Sequence, residues 1–243
     1  MTPVRAGTTK RKGHDVSDIP GGPMANRPVH FIWLLDCSYS MQGEKIARLN
    51  YAIREAIPEM RSVAHDNPAA QLLLRTLTFS TTAQWHHKNP VPVDDFTWQD
   101  VQVDGMTNLG EALDLVSREL QTPPMPQRAL KPVLALVSDG VPTDDWKAGL
   151  KAIDATPWGR KAVRVAIAIG EDADRNVLQE FLGNPELRPL DANSPKQLAA
   201  AIRWASTAAV KAASQPVAAS SDTLSKPLPY APPVLDDDDD DVW

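Results

Sequence analysis

Three short stretches of this chain, residues 29–35, 133–137 and 163–169, are apolar at nearly every position. A strand with one wet face alternates apolar and polar residues. A run without alternation predicts a strand covered on both sides, as in a parallel sheet sandwiched between helices. None approaches the ~20 apolar residues that span a bilayer. The intervening segments supply the helices. In 44–63, Ile46, Leu49, Ile53, Ile57 and Met60 fall at three- and four-residue spacing, with Pro58 predicting a kink or an early end. In 109–120, Leu109, Leu113, Val116 and Leu120 share one face. Thr143 or Asp144 is placed to cap a helix running to about Ala155, and 174–182 is helical. Ser194-Pro195-Lys196-Gln197 opens a last helix through about Lys211. Segments 72–79 and 83–87 flank Ser80-Thr81-Thr82 and predict an antiparallel hairpin at the sheet edge. The expected fold is a doubly wound, Rossmann-like α/β sheet, mostly parallel with one antiparallel edge strand and helices on both faces.

This core accounts for residues 27–212. Residues 1–26 hold Gly, Pro and charge without periodicity and read as a flexible basic arm; they lack the apolar stretch of a secretory signal. Residues 213–243 read as a Pro- and Ser-rich linker with an acidic end. With Lys+Arg 25 against Asp+Glu 31, a general nucleic-acid binder is disfavoured. The single cysteine, Cys37, permits no intrachain disulfide and fits a reducing cytoplasm. It reads as a packing residue rather than a nucleophile.

The chemistry gathers where the strands end. Asp36-Cys37-Ser38-Tyr39-Ser40 follows the first apolar run directly. Asp139-Gly140 follows the second, and Thr107 precedes the helix that begins at Leu109. Each residue alone has an ordinary reading, since strand-end aspartates make turns and serines cap helices. Together, three segments bring small hydroxyl and carboxylate groups to the edge where doubly wound sheets bind ligands. An oxygen-only set suits a hard divalent cation, Mg²⁺ or Mn²⁺.

In order and spacing these residues resemble the metal-ion-dependent adhesion site (MIDAS) of von Willebrand factor A (VWA) domains, D-x-S-x-S…T…D-G. Two further segments, Ser38-Tyr39-Ser40-Met41-Gln42-Gly43-Glu44-Lys45-Ile46 and Ser138-Asp139-Gly140-Val141-Pro142-Thr143-Asp144-Asp145-Trp146, are similar to the bacterial TerY-like branch. The resemblance implies that Ser38 and Ser40 ligate the metal directly and Asp36 through water. Thr107 would ligate directly or through water, with Asp139 supporting the ligands from behind. It also implies a non-enzymatic, metal-dependent protein-interaction module, associated with tellurite resistance and stress response. Its expected partners are a Ser/Thr kinase and a PP2C-type phosphatase. Hydroxyl ligands leave the cation much of its charge, and an octahedral ion needs about six ligands, so a partner carboxylate can complete the shell. Tyr39 and Trp146 would flank that docking face.

Two other functions share parts of this pattern. A haloacid-dehalogenase-type phosphohydrolase also places an aspartate after its first strand, but needs a second carboxylate where Ser38 stands. A structural, oligomer-forming subunit is the other. At the far end, Asp236, Asp237, Asp238, Asp239, Asp240 and Asp241 precede Val242-Trp243. They read either as a solvated charge run or as a recognition peptide, with Trp243 its aromatic anchor. On a tether of about thirty residues, these carboxylates would face the metal at roughly millimolar effective concentration. His86-His87 reads as a pair of edge-strand surface residues whose side chains take opposite faces and cannot chelate together.

Overall fold

The computed structural model describes residues 26–214. The readings placed on residues 1–25 and on the acidic segment Asp236–Asp241 with Trp243 lie outside them. Seven strands form one sheet: β1 (Arg27–Asp36), β2 (Ala70–Phe79), β3 (Ala83–Trp85), β4 (Val91–Pro92), β5 (Val133–Ser138), β6 (Val163–Ile169) and β7 (Leu190–Ala192). The order is β3-β2-β1-β5-β6-β7, with β4 also on β2. All pairs are parallel except β2 with β3 and β2 with β4. Helices α1 (Glu44–His65), α2 (Leu109–Glu119), α3 (Trp146–Ala155), α4 (Arg175–Leu182) and α5 (Pro195–Ser214) cover both faces. The doubly wound fold is therefore as expected.

The strand β1 shows why its sequence is apolar throughout. Phe31, Trp33 and Leu35 face one core, shared with Leu49, Ile53 and Met60 of α1 and Leu198 and Ile202 of α5. Ile32 and Leu34 face the other, against Leu113 and Val116 of α2 and Phe181 of α4. On that side α2 and α3 meet through glycines: a Cβ on Gly149 would lie 2.6 Å from the Gly110 carbonyl oxygen. Among the described residues no helix is long and apolar enough to cross a membrane.

Several local expectations are corrected. Helix α1 runs unbroken through Pro58 to His65, because Leu49, Ile53, Ile57 and Met60 bury one continuous stripe on both sides of the proline. The hairpin exists, but only β3 is its edge member; β2 pairs in parallel with β1 along its whole length. Strands β4 and β7 were not foreseen, being two and three residues long. His86 and His87 lie beyond β3, and both donate their backbone N–H to Thr76 O, at 2.9 and 3.2 Å. Two residues opposite one carbonyl make a bulge, which breaks the strand alternation. Both rings consequently meet the same loop, His86 Nε2 at Gln99 O and His87 Nε2 at Thr97 O. The two rings therefore do not take opposite faces, and each directs its Nε2 to a carbonyl of that loop.

Candidate metal centre

Chain direction sets the place. From β1 the sheet grows one way through β2 and the other way through β5, so the carboxyl ends of β1 and β5 border a switch-point crevice. Asp36 ends β1, and Ser138-Asp139 ends β5 and begins its loop. The third loop is held by its neighbours. Tyr39 N–H donates to Gly105 O at 3.0 Å, and Asp104 N–H to Cys37 O at 2.7 Å. Asn108 Nδ2 donates to Thr81 O at 2.6 Å. Gly105 has φ +62°, and a Cβ there would collide with Thr81 Oγ1 at 1.7 Å. Only glycine lets that loop pack against the hairpin turn.

The five predicted residues come together. Ser40 Oγ donates to Asp139 Oδ1 at 2.6 Å and lies 2.9 Å from Ser38 Oγ. Asp36 Oδ1 accepts from Ser38 N–H at 2.9 Å, and Asp36 Oδ2 from Ser138 Oγ at 2.6 Å. Gly140 marks the open centre of the group. A Cβ built on it would stand 3.4 Å from Ser40 Oγ, 3.4 Å from Thr107 Oγ1 and 3.7 Å from Asp36 Oδ2. Three oxygens from three loops thus converge on a space that a single methyl would fill. Asp36, Ser38, Thr107 and Asp139 are buried, and Ser40 is exposed at the mouth.

This donor set fits a hard divalent cation. Among the described residues no three His, Cys, Asp or Glu side chains converge as a metal cluster; here two carboxylates stand among three hydroxyls. A serine that gives its proton to a carboxylate, as Ser40 does to Asp139, turns its lone pairs outward for a metal. The electrostatics favour a cation too. Burial pushes the Asp36 carboxyl up to about 6, against the lowering effect of its bonds to Ser138 and Ser38, and Asp139 adds repulsion. Cys37 is pushed up to about 12 by burial and then by Asp36, which leaves its thiol inert.

Some participants were not anticipated. Lys45 Nζ lies 2.6 Å from Asp139 Oδ2, a pairing across 94 positions that no spacing rule reveals. Ser138, a polar residue closing an apolar run, was legible as a neighbour but not as the donor to Asp36. Thr143 and Asp144 do not cap α3; Asp145 does, accepting from Ala148 N–H at 3.1 Å. Thr143 braces the Thr107 loop instead, its Oγ1 accepting from Thr107 N–H at 3.2 Å and its N–H donating to Thr107 O at 2.9 Å. Asp144 accepts from the first amides of α2, Gly110 and Glu111, at 2.8 and 2.9 Å. Their carboxylate and hydroxyl serve the nearest unpaired amides, which belong to the neighbouring helix and loop.

Around the mouth the surface is apolar. Tyr39 (64% exposed), Met106 (54%) and Val141 (61%) are three of four exposed large hydrophobic residues among those described, the fourth being Tyr51. Each lies next to a ligand candidate in sequence or one residue removed. Trp146 opens α3 and packs partly against the second core, with Lys147 Nζ 5.3 Å from its ring centre.

Comparison with known proteins agrees with this geometry at the level of the fold. No family model matches the chain, and no curated protein matches it. Solved structures do. The ArnB paralog VWA2 from Sulfolobus acidocaldarius superposes with TM-score 0.51 at 17% identity, covering 72% of this chain and 44% of that one. A von Willebrand factor type A protein from Catenulispora acidiphila gives 0.55 at 16%, covering 76% and 43%. Proximal thread matrix protein 1 from the mussel byssus, with a zinc-occupied MIDAS motif, gives 0.56 at 15%, covering 76% and 48%. The chain spans less than half the length of each of these proteins. Its fold is the VWA arrangement, a mostly parallel sheet between two helical layers.

Proposed function

We propose that this protein is a metal-dependent interaction module whose centre takes a divalent cation, Mg²⁺ or Mn²⁺, and docks a carboxylate of a protein partner. The observation that carries the reading is the convergence of Ser40, Thr107 and Asp36 oxygens on the open face of Gly140. A bound cation would supply an open coordination position to an incoming acid group. Ser38, Ser40 and Thr107 give neutral oxygens. Asp36 and Asp139 are buried and tied by hydrogen bonds, so they neutralise the centre without closing it. Tyr39, Met106 and Val141 form an apolar collar that excludes water from the docked acid and selects apolar neighbours around it.

The zinc in the byssus protein's MIDAS supports a divalent ion at the matching motif. Work as a cytoplasmic scaffold for a kinase and a PP2C-type phosphatase is the role we assign on the TerY-like resemblance. The carboxylates of 236–241 are of the right chemistry to compete for the same position, in cis or from a second copy. Phosphohydrolase chemistry is less well served. Asp36 has no exposed surface and both its oxygens are engaged, which suits a supporting anion rather than a nucleophile.

The test is calorimetric titration of the full chain with Mn²⁺ beside the Ser38→Ala, Ser40→Ala double variant. The variant is expected to lose Mn²⁺ binding while unfolding as cooperatively as the parent. Equal Mn²⁺ affinity in the two would refute the ligand assignment. Capture of the native kinase or phosphatase that survives EDTA would refute metal-dependent docking.

A further inference from the structure

Lys45 occupies an unfavourable place for a cation. It is the second residue of α1, where the helix dipole presents its positive end. Its side chain is nonetheless drawn inward, 19% exposed, to the fully buried carboxylate of Asp139 at 2.6 Å. The Nζ also lies 3.4 Å from where a Cβ on Gly170 would sit, so the stem reaches from the start of α1 to the end of β6. Asp139 therefore has one oxygen on Ser40 and the other on Lys45. Around the centre two carboxylates balance a divalent cation, and the lysine ammonium leaves one positive charge over.

We propose that Lys45 is a fixed counter-charge that weakens the centre's hold on its metal and strengthens its hold on a partner's single carboxylate. The proposal rests on the metal reading above and names the partner's charge class. With Lys45 present, Asp139 is already satisfied, so the metal gains less from it and is repelled by the ammonium. The same surplus charge attracts a monoanion, which a neutral centre would hold through coordination alone. The two effects have opposite signs, and a merely structural lysine would not produce that pattern.

The experiment compares the full chain with Lys45→Met, which keeps the apolar stem, and Lys45→Arg, which keeps the charge. Mn²⁺ affinity is read by calorimetry. Acetate affinity of the Mn²⁺-loaded protein is read by the fall in water-proton relaxation as acetate displaces bound water. A +1 charge one carboxylate away from a divalent ion is worth at least roughly tenfold in affinity, the value for screening as complete as in bulk water. Lys45→Met should bind Mn²⁺ about tenfold more tightly and acetate several-fold more weakly, with Lys45→Arg within about twofold of the parent in both. A Lys45→Met protein that folds in EDTA but shows unchanged or weaker Mn²⁺ affinity overturns the proposal and leaves the metal centre standing. If Lys45→Met does not fold in EDTA, Lys45→Gln, which keeps a donor for Asp139 without the charge, is read in the same two titrations against the same outcomes. A parent chain that binds no Mn²⁺ overturns the centre and this proposal together.

Discussion

Replacing Asp36 by Asn should make the metal-free protein more stable and the metal response vanish. The carboxyl of Asp36 sits with no exposed surface, and burial raises it from 3.8 to about 6. A raised carboxyl binds its proton more tightly folded than unfolded. Its burden on the fold is absent below the unfolded value and complete above the folded one. At pH 7.5 that burden is about 3 kcal/mol. Asparagine keeps an acceptor for Ser38 N–H and turns an N–H₂ toward Ser138 Oγ, which changes from donor to acceptor. Allowing for one altered bond, the net gain is about 1–3 kcal/mol.

The pH dependence separates this effect from general packing. His30 in β1 is lowered from 6.5 to about 4, by burial first and Arg75 second. A lowered histidine costs stability as pH falls, because the unfolded chain takes a proton that the folded one refuses. Between pH 6.5 and 4 that loss is about 3 kcal/mol. Asp36 gains a similar amount over nearly the same window and opposes that loss, to which the half-buried His87, also lowered, adds. Urea unfolding in EDTA at pH 7.5 and pH 4.5 should show a variant whose advantage over the parent shrinks as pH falls. For a domain of this size, 2 kcal/mol corresponds to a Tm higher by about 4–8 °C at pH 7.5. Mn²⁺ should raise the parent's Tm and leave the variant's where it is. An Asp36→Asn protein less stable than its parent in EDTA at pH 7.5, or equally protected by Mn²⁺, would refute the reasoning.

Gly140→Ala should weaken Mn²⁺ binding at least tenfold while shifting stability by no more than about 0.5 kcal/mol, because its Cβ enters the oxygen cup at ordinary contact distances. Calorimetry and thermal unfolding check the two halves. Asn50→Ala should cost about 2–4 kcal/mol in urea unfolding, since its buried amide pairs with both the N–H and the carbonyl of Val101 and accepts from Trp98 Nε1. Replacing Asp236 through Asp241 with asparagine in the full chain should raise partner affinity in the presence of Mn²⁺, and unchanged affinity would remove those carboxylates as competitors.

The sequence was most legible where one physical demand acted alone. Burial on both faces makes β1, β5 and β6 apolar throughout, and β6 falls at Val163–Ile169 as read from the chain. The convergence of Asp36, Ser38, Ser40, Thr107 and Asp139 was legible because small oxygen-bearing side chains fell at loop starts and a switch-point crevice restricts place. Strand β7 was not, since Leu190–Ala192 is bounded by Pro189 and contains Asp191, and exists only because β6 offers it an open edge. Of the two capping candidates Thr143 and Asp144, Asp144 does cap a helix, but α2 rather than α3, and Thr143 pairs with a loop amide instead. Residue type says that an oxygen will find an amide, and only tertiary geometry says whose. Lys45 was hidden for a related reason: nothing near it in sequence marks a carboxylate that arrives from β5.

The groups that sequence did not place share a pattern that bears on how such a centre would work. Lys45, Ser138, Thr143 and Asp144 are the groups that hold ligands or loops in position, and all reach across elements. They act on geometry that must exist before any metal arrives. Asp36 and Asp139 could relax if their loops were free, by turning into water, and the raised carboxyl of Asp36 would then fall back toward its ordinary value. The bracing prevents that, so the fold retains an uncomfortable negative charge whose relief comes from a cation. Metal affinity at such a centre includes the free energy released when that charge is neutralised, and it rises as the bracing stiffens. Lys45 limits the same release on the Asp139 side. A centre built in this way can hold its metal firmly through Asp36 while keeping, through Lys45, positive charge to offer to a partner.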